Sequence, residues 1–280
     1  RYYEKTLNAK NKGFEANFFA ELFADIRGGI GTPSADEQSR GGDIIAAIDP
    51  TVEDELDKVL KKVQETWNSD SIGGIIMDPK TGGIYAMAAR PTYDPNNLKE
   101  VTNARVFSNP LVENVYEMGS IIKPLTMAAG LDAGAVTPTS TYDDKCKVTL
   151  GDKTFYNYDG NGRGVVSMQE VLSQSLNTGV AFVVSQMGND KFADYFVNYG
   201  LSEETGIDLP NETHGLITNL SSPREIEYAT ASFGQGIAMT PIETIRALAT
   251  LGNGGKLVNP HIGKLIQYKI GGSKKISYGV

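Results

Sequence analysis

Hydrophobic and polar positions follow two periods along the chain, one of three to four residues and one of two. From Val52 onward Leu56, Val59, Leu60, Val63 and Trp67 recur at the longer period, which predicts a helix with one buried stripe. Asp49 stands where an N-cap belongs, Pro50 at the first helical position, and Glu53, Asp54 and Glu55 in the early turns, where acids complement the helix dipole. Ahead of it the run Ile44–Ile48 predicts a short strand. After it, Gly74–Met77 and Gly83–Met87 flank the turn sequence Asp78-Pro79-Lys80-Thr81-Gly82 and predict a hairpin. The helical period returns in Ile122, Leu125, Met127, Ala128 and Leu131, in a run from Val171 to Met187, and in Phe192, Tyr195, Phe196 and Tyr199, an aromatic stripe that reads as packing.

Punctuation between these segments completes the layout. Ser167 with Glu170, and Thr240-Pro241 with Glu243, read as capping boxes, the second helix ending at Gly252–Gly255. Residues 90–116 and 134–164 read as surface excursions. The second ends in Gly160-Asn161-Gly162-Arg163-Gly164, which lacks the Lys-Ser/Thr of a phosphate loop and reads as a turn. Lys264–Val280 reads as a strand pair. The expected fold is α/β of the α+β type, an antiparallel sheet with helices packed on it. Residues 1–42 alternate aromatics such as Tyr3, Phe14, Phe18 and Phe23 with a Gly/Ser/Pro-rich stretch, and read as the end of a preceding module plus a linker. The main domain is then 43–280.

Composition narrows the function. With 280 residues and 40% hydrophobic content the chain can bury a substantial core. A net charge of −8 without a Lys/Arg cluster argues against nucleic acid and against an anionic membrane surface as partners. One cysteine, Cys146, excludes an internal disulfide, and the isolated His214 and His261 offer neither a metal-ligand set nor a Ser-His-Asp triad. No cofactor is expected. No apolar run approaches the ~20 residues of a membrane span. The chain begins at Arg1 and reads as a piece whose targeting or anchor segment lies upstream.

Candidate chemistry centres on Gly119-Ser120-Ile121-Ile122-Lys123-Pro124. Gly119 can bend the chain so that Ser120 sits at a helix start, with Lys123 one turn on and within expected reach of its hydroxyl. Near the positive end of the helix dipole and among apolar neighbours, the Lys123 amine should have a lowered pKa and act as a base. Pro124 removes an amide from the first turn and should distort it. A Ser-x-x-Lys spacing arises about once by chance in a chain of this length, but Ser120 is the only serine here with a lysine at the third position. Ser175-Leu176-Asn177 is the only Ser-x-Asn. Alone it reads as a polar patch between helices; with the first pair it completes two of three motifs of the penicillin-binding proteins and serine β-lactamases.

The sequence resembles the transpeptidase domain of class B penicillin-binding proteins over nearly its whole length. The resemblance rests on Tyr3–Asn8, Gly42–Asp49, Asp78–Gly82, Met118–Pro124 and Phe233-Gly234-Gln235-Gly236 with Met239-Thr240-Pro241. It implies an upstream membrane anchor, a domain on the outer side of the bacterial membrane, and D,D-transpeptidation of peptidoglycan stem peptides ending in D-Ala-D-Ala, with β-lactams as mimics and cell-wall synthesis proteins as partners. By that resemblance Ser120 is the nucleophile, Lys123 its base and Ser175 a proton relay. Asn177 holds Lys123 or the substrate amide, and the Ser120 amide is half of an oxyanion hole. The third motif departs from the pattern: the only Lys-Thr-Gly, Lys80–Gly82, precedes the nucleophile in a hairpin turn and reads as a decoy, so the active-site strand is expected beyond Val280. A serine β-lactamase, or a β-lactam receptor or inactive scaffold, are the alternatives; for a class A β-lactamase the deacylating Glu should follow Ser175, whereas Glu170 precedes it.

Overall fold

In the computed structural model the described residues are 2–8, 41–269 and 272–279; the aromatic run Phe14–Phe23 and most of the predicted linker lie outside them. Helix α1 (Glu4–Asn8) precedes strand β1 (Gly42–Ala46), helix α2 (Pro50–Trp67) and the hairpin of β2 (Ile72–Met77) with β3 (Ile84–Arg90). Asp49 caps α2 as expected, its carboxylate accepting from the amides of Thr51 and Val52 at 2.9 and 3.2 Å. The buried stripe is narrower than the periodicity predicts. Leu60 is buried, but Val59 is exposed and Trp67 is 74% exposed. The cause is the width of the surface underneath: α2 packs on a hairpin only two strands wide, and its flank is used instead for polar ties, Glu53 to the Met87 amide at 2.8 Å and Asp57 to Arg90 at 2.6 Å.

The excursion after β3 contains only short turns and α3 (Pro110–Glu113) before a 3-10 turn, Gly119–Ile122, that runs directly into α4 (Lys123–Asp132). On α4 the face that faces inward is Ile122, Leu125, Thr126, Ala129 and Gly130, spaced i, i+3, i+4, i+7 and i+8; Leu131, predicted to share it, is 38% exposed.

Residues 134–164 depart most from expectation. They are not a loop excursion but hold β4 (Thr141–Asp144), β5 (Lys147–Leu150), β6 (Lys153–Tyr156) and, from the end of the glycine cluster, β7 (Gly164–Ser167). β4 pairs with β7 and β5 with β6, both antiparallel. Each strand is four residues long, too short for an alternating pattern to stand out against the turn residues between them.

Helices α5 (Met168–Ser173), α6 (Asn177–Met187), α7 (Asn189–Asn198), α8 (Glu225–Ala231) and α9 (Pro241–Ala249) follow, then strands β8 (Gly263–Tyr268) and β9 (Ser273–Lys275). The predicted helical region from Ser167 to Met187 is thus interrupted between α5 and α6, at Gln174–Leu176. Its capping box is half formed: the Ser167 hydroxyl accepts from the Glu170 amide, while the Glu170 carboxylate turns to Gln174 at 2.7 Å. The box of Thr240 and Glu243 is complete. β8 pairs antiparallel with both β1 and β9, and an isolated bridge from Gly83 to His261 joins the β2–β3 hairpin to the chain leading into β8. Antiparallel ladders with helices against them agree with the expected α+β class.

One core gathers Ile122, Leu125, Phe192, Phe196, Leu201 and Met239, and a second Met168, Val171, Leu176, Val180 and Phe233. Each such side chain contributes about 1.5–3 kcal/mol on burial. α4 crosses α6 closely: a Cβ on Gly130 would lie 2.3 Å from Val183 Cγ1. At β8, the buried Asp208 carboxylate accepts from the amides of Ile262 and Gly263, both at 2.7 Å, and from the hydroxyls of Tyr3 and Tyr278. Among the described residues no helix is long and apolar enough to cross a membrane.

Candidate active site

Ser120 lies exposed on the 3-10 turn that opens α4. Gly119 reaches that turn with φ +61, in the left-handed region that glycine adopts at little cost. The distortion expected from Pro124 takes a definite form. The Lys123 amide, not that of residue 124, bonds back to the Ser120 carbonyl, so the first turn tightens to 3-10 and the proline falls in the first turn of α4, where its missing N–H is not needed. No hydrogen bond from the Ser120 amide to another described residue is present, as expected for an amide in the first turn of a helix.

A second segment holds this turn from outside. The Gly119 amide donates to the Gly234 carbonyl at 3.1 Å, the Gly236 amide to the Glu117 carboxylate at 2.8 Å, and Tyr116 and Met239 exchange two backbone bonds of 2.9 and 2.9 Å. The Phe233–Met239 stretch is therefore a clamp along residues 116–119. The sequence marks it only through the family resemblance, and the neighbourhood of Glu117 to the Ser120 turn gives no hint of its bond to the Gly236 amide.

Lys123 is 2% exposed. Its amine donates to the Ser175 carbonyl at 2.5 Å and to the Ser175 hydroxyl at 2.9 Å. The predicted hydrogen bond to Ser120 is absent among the described residues, as is one between Lys123 and Asn177. Burial pushes the Lys123 pKa down to about 8, since desolvation penalises the ammonium and no described acid pairs with it. A neutral amine that donates two protons to Ser175 keeps one lone pair, which is what a base one turn from Ser120 needs.

Ser175 owes its place to the break between α5 and α6. Its φ is +52, a conformation unfavourable for a residue with a side chain, and the chain turns there with the Ser175 amide on the Leu172 carbonyl and the Leu176 amide on that of Val171. Leu176 is fully buried and anchors the turn in the core. Asn177 then starts α6, its side-chain amide donating one hydrogen bond to the Tyr156 carbonyl at 2.9 Å, which ties the side chain to β6 and leaves its side-chain oxygen for other partners. Lys80 stands apart: it is exposed in the β2–β3 turn, with its amide on the Asp78 carboxylate at 2.9 Å. Among the described residues no cluster of three or more His, Cys, Asp or Glu could hold a metal ion.

An exposed serine on a tight helix start, a buried lysine one turn on and a second serine held on that lysine are thus brought together, the group types that lysine-assisted serine acyl transfer requires. The chain belongs to the family described as penicillin binding protein transpeptidase domain, whose sequence profile matches residues 72–277. Stage V sporulation protein D of Bacillus subtilis is 29% identical over 248 residues, covering 87% of this chain and 38% of that protein. The probable peptidoglycan D,D-transpeptidase FtsI of Caulobacter vibrioides is 32% identical over 220 residues, covering 78% of this chain and 36% of its own length. The chain thus spans little more than a third of these relatives. A putative peptidoglycan glycosyltransferase of Atopobium parvulum has a solved structure that superposes with a TM-score of 0.76 at 28% identity, over 85% of this chain and 55% of that one. The apo form of penicillin binding protein 3 from Mycobacterium tuberculosis superposes at 0.79 over 85% and 53%; at 22% identity it supports the fold alone.

Proposed function

We propose that this domain is a peptidoglycan D,D-transpeptidase that works through an acyl-enzyme on Ser120. The observation that carries the reading is the buried Lys123 amine, lowered toward neutrality and held on Ser175 one turn from an exposed serine hydroxyl. Neutral Lys123 takes the Ser120 proton as the hydroxyl oxygen attacks the penultimate D-Ala carbonyl carbon of a stem peptide. The tetrahedral oxyanion is received by the Ser120 amide. On collapse the peptide C–N bond breaks, and the terminal D-Ala amine leaves with the proton that Lys123 returns through Ser175. An amine of a neighbouring strand then attacks the ester, forming the cross-link and freeing Ser120. A β-lactam enters as a strained amide whose leaving nitrogen stays tethered, so the ester persists.

The D,D-transpeptidase names of several relatives support this class of reaction; on this reading the domain meets its peptidoglycan substrate on the outer side of the membrane, held there by a membrane anchor and working beside other cell-wall proteins. A β-lactamase would need a carboxylate to activate water. In class A that carboxylate is a Glu downstream of the Ser-x-Asn triplet, whereas Glu170 precedes Ser175 and its carboxylate accepts from Gln174, so a long-lived penicilloyl ester is expected.

Incubation with fluorescent penicillin, followed by mapping of the labelled peptide, tests the proposal. A stable label on Ser120 supports it; a label on another serine, or none, overturns it. In the same assay Lys80→Ala is expected to label within about twofold of the parent, because an exposed turn lysine contributes little. A loss as deep as that of a Lys123 substitution would return the Lys80–Gly82 triplet to the site.

A further inference from the structure

Behind the Ser175–Asn177 turn lies a buried polar cluster that no motif marks and the proposed chemistry does not use. Asp144, at the end of β4, is 2% exposed, and among the described residues its carboxylate makes no salt bridge. It is nevertheless fully occupied. One oxygen accepts from the Thr178 hydroxyl at 2.8 Å, the Cys146 amide at 3.0 Å and the Asn157 side-chain amide at 3.0 Å; the other accepts from that same Asn157 amide at 3.0 Å and from the Arg163 backbone amide at 3.0 Å. Asn157 in turn accepts from the Thr178 backbone amide at 3.2 Å. Thr178 directly follows Asn177, and Asn157 directly follows Tyr156, whose carbonyl holds the Asn177 side chain.

Both sides of the Asn177 bond are therefore fixed by one carboxylate. A buried carboxylate is costly unless its acceptor sites are filled, and a residue placed there only for packing has less costly alternatives. The Ser175 turn also needs an external hold: φ +52 on a serine persists only when its surroundings over-determine it. We propose that Asp144 is a positioning residue, whose carboxylate, through Thr178 and Asn157, holds the start of α6 so that Ser175 is presented to Lys123. This rests on the reading of Ser120, Lys123 and Ser175 given above.

The test uses the whole chain and fluorescent penicillin. Asp144→Asn keeps the shape but turns an N–H₂ toward donors, and Thr178→Val removes the bridging hydroxyl. Each is expected to lower the acylation rate constant about 10- to 100-fold, the scale of a small displacement in a site, while the fraction of molecules labelled at completion stays near that of the parent. Thr178→Ser, which keeps the hydroxyl, should label within about twofold of the parent. Adding Asp144→Asn to Ser175→Ala should cost little more, because both act through one group. An unchanged rate constant, or a loss confined to the labelled fraction, reduces Asp144 to a stabilising residue and overturns the proposal. The side-chain NMR resonance of Lys123, assigned by its loss in Lys123→Ala, gives a readout independent of acylation. It should shift in Asp144→Asn, and an unmoved resonance would count against positioning even if the parent protein fails to label and the transpeptidase reading falls.

Discussion

Replacing Lys123 by alanine is expected to slow penicillin acylation by roughly 10²–10⁴, the contribution of a well-placed general base. The same residue sets the pH profile. Burial favours the uncharged amine and brings the Lys123 pKa down to about 8, so the basic form grows as pH rises through that value and the acylation rate of the parent should climb with a midpoint near pH 8. Below the midpoint the ammonium has no lone pair to accept the Ser120 proton. Lys123→Arg should not rescue the rate, because a guanidinium stays charged across this range and cannot become the base. Rates of fluorescent penicillin labelling between pH 6 and 10, measured with the parent and both variants after confirming that each is folded, decide the matter. A flat parent profile, or an alanine variant within tenfold of the parent, would remove Lys123 from the proton path.

Elements with strong local signals were readable from sequence. Asp49-Pro50 opened α2 where the cap chemistry put it, the β2–β3 hairpin formed about its turn, and the complete capping box of Thr240 and Glu243 opened α9. What was missed depended on partners distant in sequence. Val59 and Trp67 satisfy the helical period, yet the surface below α2 is too narrow to cover them. The strands β4–β7 were hidden because four residues barely define an alternation, although Tyr142 and Asp144 do alternate as buried positions on β4. The site divides in the same way. Spacing brings Ser120 and Lys123 onto one turn, but spacing alone places the Lys123 amine on Ser120; the break between α5 and α6, 52 residues on in the chain, carries Ser175 to it instead. Similarly, spacing cannot show that the Asn177 side-chain amide donates to β6 rather than to Lys123.

Gly234→Ala is expected to lower acylation by about 100-fold or more while leaving most of the fold in place. A Cβ at residue 234 would lie 2.3 Å from the Gly119 carbonyl oxygen, 2.6 Å from its nitrogen and 2.9 Å from its carbonyl carbon, all main-chain atoms that cannot rotate away. Gly234 has φ +78, so alanine also carries a left-handed penalty of about 1–2 kcal/mol. The clash is relieved only by parting the Phe233–Met239 clamp from the residues beside Ser120, which breaks the bond from the Gly119 amide to Gly234. A shift of about 1 Å in a nucleophile costs on the order of 10² in rate. Gly236→Ala separates strain from displacement. Its φ is +76, nearly the same, but its nearest neighbours are the side-chain atoms Asn219 Nδ2 at 3.1 Å and Thr230 Oγ1 at 3.5 Å, which can yield. That variant should lose comparable thermal stability and keep acylation within about tenfold, since the Gly119 backbone is untouched. Melting temperatures and labelling rates of the two proteins, taken side by side, carry the comparison: equal rates would mean that the clamp does not set the position of Ser120, whereas a gap in rate at similar stability ties the Gly119–Gly234 contact to the placement of the nucleophile.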